Sequence, residues 1–327
     1  MVWGSRSLRG AASLAWVTAS PITIELRCAG GTPLAFRRII DSHGLAGVAP
    51  WQRGDDRLAV TVPTSVGPRV IEICCSQPDT PGATAVVTLG SGSAPPAAEL
   101  KRIAQRMLGL TSDLTAFIEG TAVDPDLDWV AKAGAGAMAR GATVFEDVIR
   151  TVLTTNCSWA MTTLMCERLV EHFGEPAPGA GEAGPAARAF PGPEMIASLS
   201  AEQLREQVRV GYRAQRMIDL AGFVAGGDVD LEGLAAAGPD ELSDHDLIGQ
   251  LLALPGVGPY AAAHITLLIG RPSQPILDSW TRPKYARLTG RSSVTDAGIH
   301  RHVAAYGPHA GLALWLILTR DWFDAGA

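Results

Sequence analysis

Two periodicities divide the chain. Between about residues 20 and 90, apolar positions alternate with polar ones or fall in short β-branched runs: Ile22 to Leu26, Leu58 to Val62, Val70 to Ile73 and Ala85 to Leu89. Gly, Pro and Asp turns separate these runs, which predicts an antiparallel sheet with one helix near Leu34 to His43. After Gly90-Ser91-Gly92-Ser93-Ala94-Pro95-Pro96, a flexible linker by composition, apolar residues recur at helical spacing near 97–120, 144–173, 193–225 and 243–320. A Gly/Pro/Ala-rich stretch from Glu175 to Pro193 interrupts the helices and reads as a surface loop. The predicted fold class is α+β: a loose tail (1–19), a small N-terminal antiparallel β-sheet domain (20–93) and a predominantly α-helical core (94–327).

The longest uncharged run, Leu247 to Gly270, is long enough on length alone to cross a bilayer. Its middle is Pro255-Gly256-Val257-Gly258-Pro259 and His264 follows, a sequence that would leave backbone groups unsatisfied in lipid. It therefore predicts two helices joined by a hairpin at 252–260, with no membrane association. A helix that ends in Pro-Gly and restarts after Gly-x-Gly turns several N–H groups outward, which makes a phosphate grip. An acidic residue, Asp278, stands 18 positions after Tyr260.

At 327 residues and 47% hydrophobic, the chain has material for two or three domains. The net charge is −6, awkward for a phosphate binder, but the balance near a site matters more than the total. From Arg271 to Arg301 six basic residues (Arg271, Arg282, Lys284, Arg287, Arg291, Arg301) face two acids (Asp278, Asp296), a local +4. The bland alternative is a solvated charged face. Arg6 and Arg9 before Gly10 to Val17 faintly resemble a signal peptide, but the apolar part is short, so a cytoplasmic, nucleoid-associated protein is expected. Cys28, Cys74, Cys75, Cys157 and Cys166 lack metal-ligand spacing and read as free thiols. The histidines form no H-E-x-x-H pattern, so no catalytic metal is expected.

Several ordered pieces resemble one family. Phe145-Glu146-Asp147-Val148-Ile149-Arg150 opens the helical core and Thr154-Thr155-Asn156-Cys157-Ser158-Trp159 leads into a helix. Phe190-Pro191-Gly192-Pro193-Glu194, Gly211-Tyr212-Arg213-Ala214, the hairpin, Asp278 and Gly311-Leu312-Ala313-Leu314-Trp315 follow. From Phe145 to about Trp322 the chain resembles the helix-hairpin-helix (HhH-GPD) DNA glycosylases, which include endonuclease III, the 8-oxoguanine glycosylases and the inducible 3-methyladenine (AlkA-like) glycosylase. The β-rich segment resembles the small sheet domain of the oxoguanine and alkyladenine branches. No cysteine follows Cys166, so the iron–sulphur cluster of endonuclease III is not expected.

The resemblance implies double-stranded DNA with a damaged base as partner, a monomer, and base flipping. It makes Asp278 the catalytic residue, and the chemistry agrees: departure of the base builds positive charge on the sugar, which a carboxylate stabilises most in the transition state. One such pair at about 4 Å and an effective dielectric near 20 contributes about 4 kcal/mol, about a thousandfold in rate. Asp278 also precedes a predicted helix, where Asp is a favoured cap, and the two roles are compatible. Tyr260 occupies the place of the lysine that forms a Schiff base in bifunctional members; a phenol cannot, so a monofunctional enzyme without lyase activity is expected. His264 lies one helical turn further.

By the same resemblance Asn156 holds the orphaned partner base, Tyr212 is the wedge, and Arg213 reads the unpaired base; ordinary packing and capping are the alternatives. Gly256, Val257 and Gly258 grip the phosphate, supported by Arg282 and Lys284. The carbonyls of Leu252, Leu254 and Val257 hold a monovalent cation, Na+ or K+, and no other cofactor is implied. A base pocket of Tyr260, His264 and Trp280 suits a cationic alkylated purine. Asn156 and the Tyr212–Arg213 pair sit closer to the oxoguanine branch, so an 8-oxoguanine-type or other modified-base glycosylase is the alternative. A non-catalytic DNA-binding protein is the alternative of another class.

Overall fold

The computed structural model describes residues 21–180, 187–290 and 292–324; the predicted tail and the middle of the 175–193 insert lie outside them. The β-rich segment forms one antiparallel sheet of β1 (Ile22–Glu25), β2 (Gln52–Arg53), β3 (Arg57–Val62), β4 (Arg69–Cys74) and β5 (Thr84–Leu89), in the order β1-β5-β4-β3-β2. All four predicted strands are present; the two-residue β2 was too short to leave a pattern. The register places Ile73 opposite Leu58 and Val87, and Ile71 opposite Val60 and Leu89. One face is therefore continuously apolar, as period-two alternation requires. The predicted helix beside the sheet is α1 (Phe36–Ile40).

The rest is helical: α2 (Ala97–Met107), α3 (Thr115–Thr121), α4 (Trp129–Ala133), α5 (Val144–Thr154), α6 (Trp159–Phe173), α7 (Pro193–Ala197) and α8 (Ala201–Gln203), which runs into a π turn at Leu204–Val208. Then come α9 (Arg213–Ala225), α10 (Leu231–Ala236), α11 (Asp244–Leu252), α12 (Pro259–Ile269), α13 (Thr281–Leu288), α14 (Asp296–Val303), α15 (Ala310–Thr319) and α16 (Asp321–Asp324). Side-chain caps start the helices that frame the site: Thr143 accepts from Glu146 N at 3.1 Å before α5, and Ser243 from Asp246 N at 3.1 Å before α11.

The strand-to-helix change near residue 93 is a boundary of pattern, and the packing draws a different line. One apolar cluster joins the sheet to α2, α3 and α4 and to α15 with Leu312, Leu314 and Leu316. A second gathers α5, α6, α9 and α11. Helix α12 belongs to both, giving Ala263 and Leu267 to the first and Ala262, Ile265 and Ile269 to the second, while Tyr260 packs against each. The segment after the hairpin thus lies where two cores meet. A buried cation ties the junction further: Arg150 pairs with Glu146 at 2.8 Å and donates to the carbonyl of Ala49 at 2.8 Å.

Candidate active site

The uncharged run is α11 and α12 with a tight turn between them. Val257 N donates to Leu254 O at 3.1 Å and closes the turn; the N–H groups of Gly256 and Gly258 have no backbone acceptor among the described residues. Gly256 sits at φ +85°, where an added Cβ would lie 3.3 Å from Arg216 Cβ, so glycine is required by conformation and by packing. Gly258 is different. Its φ of −101° is extended backbone open to any residue, and a Cβ there would meet nothing within 4 Å. Its bareness leaves room for something outside the chain. Val257 contributes a buried side chain and has its N–H engaged in the turn.

Of the three carbonyls expected to hold a cation, Leu254 O already accepts one hydrogen bond, and no turn hydrogen bond ends on Leu252 O or Val257 O among the described residues. Hard carbonyl oxygens with spare lone pairs fit a monovalent ion.

Asp278 caps α13: Oδ1 accepts from Trp280 N at 2.9 Å and Thr281 N at 2.7 Å. Oδ2 accepts no protein hydrogen bond among the described residues, so the cap leaves half the carboxylate for other work. Tyr260 is oriented by a 3.3 Å hydrogen bond between its hydroxyl and that of Thr154. Burial pushes its phenol above the usual range, and the charge of Asp278 acts in the same direction. His264 is buried and pulled down to about 4 by desolvation, against the opposing charge of Asp278. The catalytic candidate and two predicted pocket residues therefore share one electrostatic environment.

Three further residues complete the cluster. His264 Nε2 lies 2.5 Å from Nε2 of His43, which follows α1. His43 stacks on Trp315 at 5.1 Å between ring centres, and Trp315 Nε1 donates to Ser42 O at 2.8 Å. Trp280, Trp315 and Trp322 form a triangle with centroid separations of 6.0, 5.9 and 5.9 Å. His43 carried no local signal, because its role exists only once the sheet segment packs against α12 and α15. Trp315 was visible as the end of the last matching piece, though not as part of an aromatic wall.

Just after α5, Asn156, Tyr212 and Arg213 lie together. Asn156 takes a left-handed conformation (φ +48°) and its amide donates to the Tyr212 hydroxyl at 3.1 Å. Ser158, not Asn156, caps α6. Tyr212 is exposed, as a wedge must be. Arg213 is buried: it donates to the Thr155 carbonyl and hydroxyl and to Val210 O, with its guanidinium 4.7 Å from the Tyr212 ring. It braces the Asn156 turn against Tyr212.

The basic segment changes most. Arg282 pairs with Asp296 at 2.7 Å, Arg271 with Asp244, and Lys284, which is buried, with Asp321. The Lys284 ammonium lies 5.9 Å from the Trp280 ring centre. Arg291 lies outside the described residues. Asp244 and Asp321, from outside the segment, reduce the local +4 to +2, and Arg282 and Lys284 carry partners where free phosphate contacts were expected.

A family model described as HhH-GPD superfamily base excision DNA repair protein matches residues 149–311, from within α5 through the hairpin and Asp278 to α15. The chain belongs to the HhH-GPD superfamily. Its similarity to named superfamily proteins is moderate. It is 29% identical over 119 residues to YfjP of Bacillus subtilis, named as a DNA-3-methyladenine glycosylase, covering 36% of this chain and 37% of that protein. It is 32% identical over 165 residues to AlkA of Mycobacterium tuberculosis, named as a bifunctional transcriptional activator/DNA repair enzyme, covering 50% of this chain and 31% of that one. The chain spans about a third of the length of the curated relatives it matches. Among solved structures it resembles MBOgg1 in complex with a low-affinity DNA ligand (TM-score 0.69, 19% identity, 95% of this chain and 98% of that one). It also resembles the Archaeoglobus fulgidus 3-methyladenine DNA glycosylase (0.67, 18%, 92% and 99%). These likenesses establish the superfamily fold, sheet included. Among the described residues no helix is long and apolar enough to cross a membrane, and no group of three or more His, Cys, Asp or Glu could hold a metal ion.

Proposed function

We propose that the chain is a monofunctional DNA glycosylase that flips a damaged base, an alkylated purine, out of duplex DNA and hydrolyses its N-glycosidic bond, leaving an abasic site. The observation that carries this is the surroundings of Asp278: a carboxylate with one oxygen unbonded, beside Tyr260 and an aromatic wall, with no free lysine amine in reach among the described residues. The chain has three lysines, Lys101, Lys132 and Lys284. The first two lie on α2 and α4, and the third is held by Asp321.

The electrons of the C–N bond leave with the base, so a base already carrying a positive charge departs neutral. Asp278 stabilises the charge that develops on the sugar; water then adds to C1′ and gives a proton to the carboxylate. Trp280, Trp315 and Trp322 offer electron-rich faces to a cationic purine, and His43 and His264, kept neutral by burial, do not repel it. The N–H groups of Gly256 and Gly258 hold the strand, and a monovalent cation on the carbonyls of Leu252, Leu254 and Val257 would stiffen the turn. The Asn156–Tyr212 contact favours a second reading, an enzyme for oxidised guanine.

The deciding experiment is a mass-spectrometric screen of bases released from duplexes carrying alkylated, oxidised or deaminated lesions, with Asp278→Asn as control and borohydride trapping in parallel. Alkylated purines are expected among the products and no trapped adduct. Release of 8-oxoguanine alone selects the second reading, an adduct removes the monofunctional assignment, and release unchanged by Asp278→Asn removes the mechanism. No release from any lesion leaves a DNA-binding protein.

A further inference from the structure

With Arg271, Arg282 and Lys284 matched to carboxylates and Arg213 buried, the cation that lies against the hairpin itself is Arg216. It lies one turn beyond Arg213 on α9, is exposed, and has no carboxylate within ion-pair distance among the described residues. Its stem runs against the hairpin: a Cβ built on Gly256 would sit 3.3 Å from Arg216 Cβ and 3.6 Å from its Cδ. Its guanidinium lies 5.7 Å from the ring centre of Tyr212. One side chain thus spans from the expected phosphate grip to the expected wedge.

We propose that Arg216 is the side-chain clamp on the damaged strand, binding a backbone phosphate between the nucleotide displaced by Tyr212 and the phosphate held at Gly256. Three features support this. The packed stem removes much of the entropy a free arginine would lose on binding. The guanidinium fork matches phosphate geometry and stays charged at any working pH. The adjacent Gly256 N–H, without a backbone acceptor, points to the same kind of ligand. The contact also gives a second reason for glycine at 256: any side chain there would displace the arginine stem. The proposal rests on the glycosylase reading only in taking opened duplex DNA as the ligand.

The test measures binding of the full chain to a fluorescent duplex with a tetrahydrofuran abasic site opposite each of the four bases, over a range of salt. Arg216→Ala is expected to weaken binding about tenfold at low salt, equally for all four opposite bases, and to lower the slope of log affinity against log salt by about one. Arg216→Lys is expected to keep most of the slope. An unchanged salt slope in Arg216→Ala, with melting temperature preserved, overturns the clamp. A loss confined to one opposite base overturns it in favour of contact with the orphaned base. If the wild type binds abasic duplex with this Arg216 dependence yet releases no base, the glycosylase reading fails and the clamp stands.

Discussion

His43 and His264, 221 positions apart in the chain, meet through their Nε2 atoms at 2.5 Å beneath Trp315. Both rings are buried, and desolvation holds both below the ordinary imidazole range, His264 at about 4. Two neutral imidazoles sharing one hydrogen bond join the sheet segment to the helix that follows the hairpin. The aromatic cluster beside Asp278 is therefore built from distant parts of the chain.

This pair sets a pH dependence of stability. The unfolded chain binds a proton on each histidine near pH 6.5, before the folded protein does, so the contribution is complete above that value and lost as pH falls from about 6.5 toward 4. Between pH 7.5 and 5, His264 alone accounts for about 2 kcal/mol, and His43 acts in the same direction. Urea unfolding across this range checks it. His264→Gln, which keeps a hydrogen-bonding group but does not titrate, is expected to flatten the profile. Parallel profiles for the two proteins would show that the pair is not neutral in the fold.

Asp278 carries a cap and a proposed catalytic charge, and two substitutions separate them. Asn is as good a cap as Asp, so Asp278→Asn is expected to melt close to wild type while base release falls about a thousandfold. Asp278→Ala loses the bonds to Trp280 N and Thr281 N as well, and is expected to cost about 1 kcal/mol more. Melting curves and single-turnover release, taken together, read both quantities; an Asn variant with near-normal release would leave only the cap.

The two hairpin glycines should fail in different ways. Gly256→Ala places a methyl group at φ +85° against the Arg216 stem, at an expected cost of about 1–2 kcal/mol in stability. Gly258→Ala is unstrained and is expected to fold like wild type, yet to bind duplex several-fold more weakly, because the methyl group enters the space beside its N–H. Thermal unfolding and anisotropy on the same preparations distinguish the two; normal DNA binding by Gly258→Ala would remove that glycine from the grip.

What was legible in the sequence was what is encoded over short spans. The runs at Ile22, Leu58, Val70 and Ala85 became strands because alternation is local, and the 252–260 turn because Pro and Gly punctuate an apolar run. Tyr260, His264 and Trp280 assembled around Asp278 because they follow the hairpin closely. His43 and Trp322 were not legible, since only tertiary packing brings them to Trp315. The charge count from 271 to 301 misled for a related reason. Asp244 and Asp321, which neutralise Arg271 and Lys284, lie outside that window. Arg216 was hidden by Arg213, which sits in the matching tetrapeptide but faces inward.

Lys284 offers the last prediction, because its amine lies beside Trp280, which follows Asp278 by two residues. If its role is structural, replacing it with an apolar residue of similar length should be mild, whereas removing its partner should not. Lys284→Met is expected to unfold close to wild type and to retain base release within about threefold, since a buried ion pair is often replaceable by packed hydrophobic atoms. Asp321→Asn strands the ammonium in the interior. The usual cost of breaking a buried pair, about 3–5 kcal/mol, falls to about 1–2 because the Asp321 side chain is half exposed. Neither variant should yield a borohydride-trapped adduct. A wild-type adduct that disappears in Lys284→Met would instead make this lysine the nucleophile, and the ion pair with Asp321 its resting state.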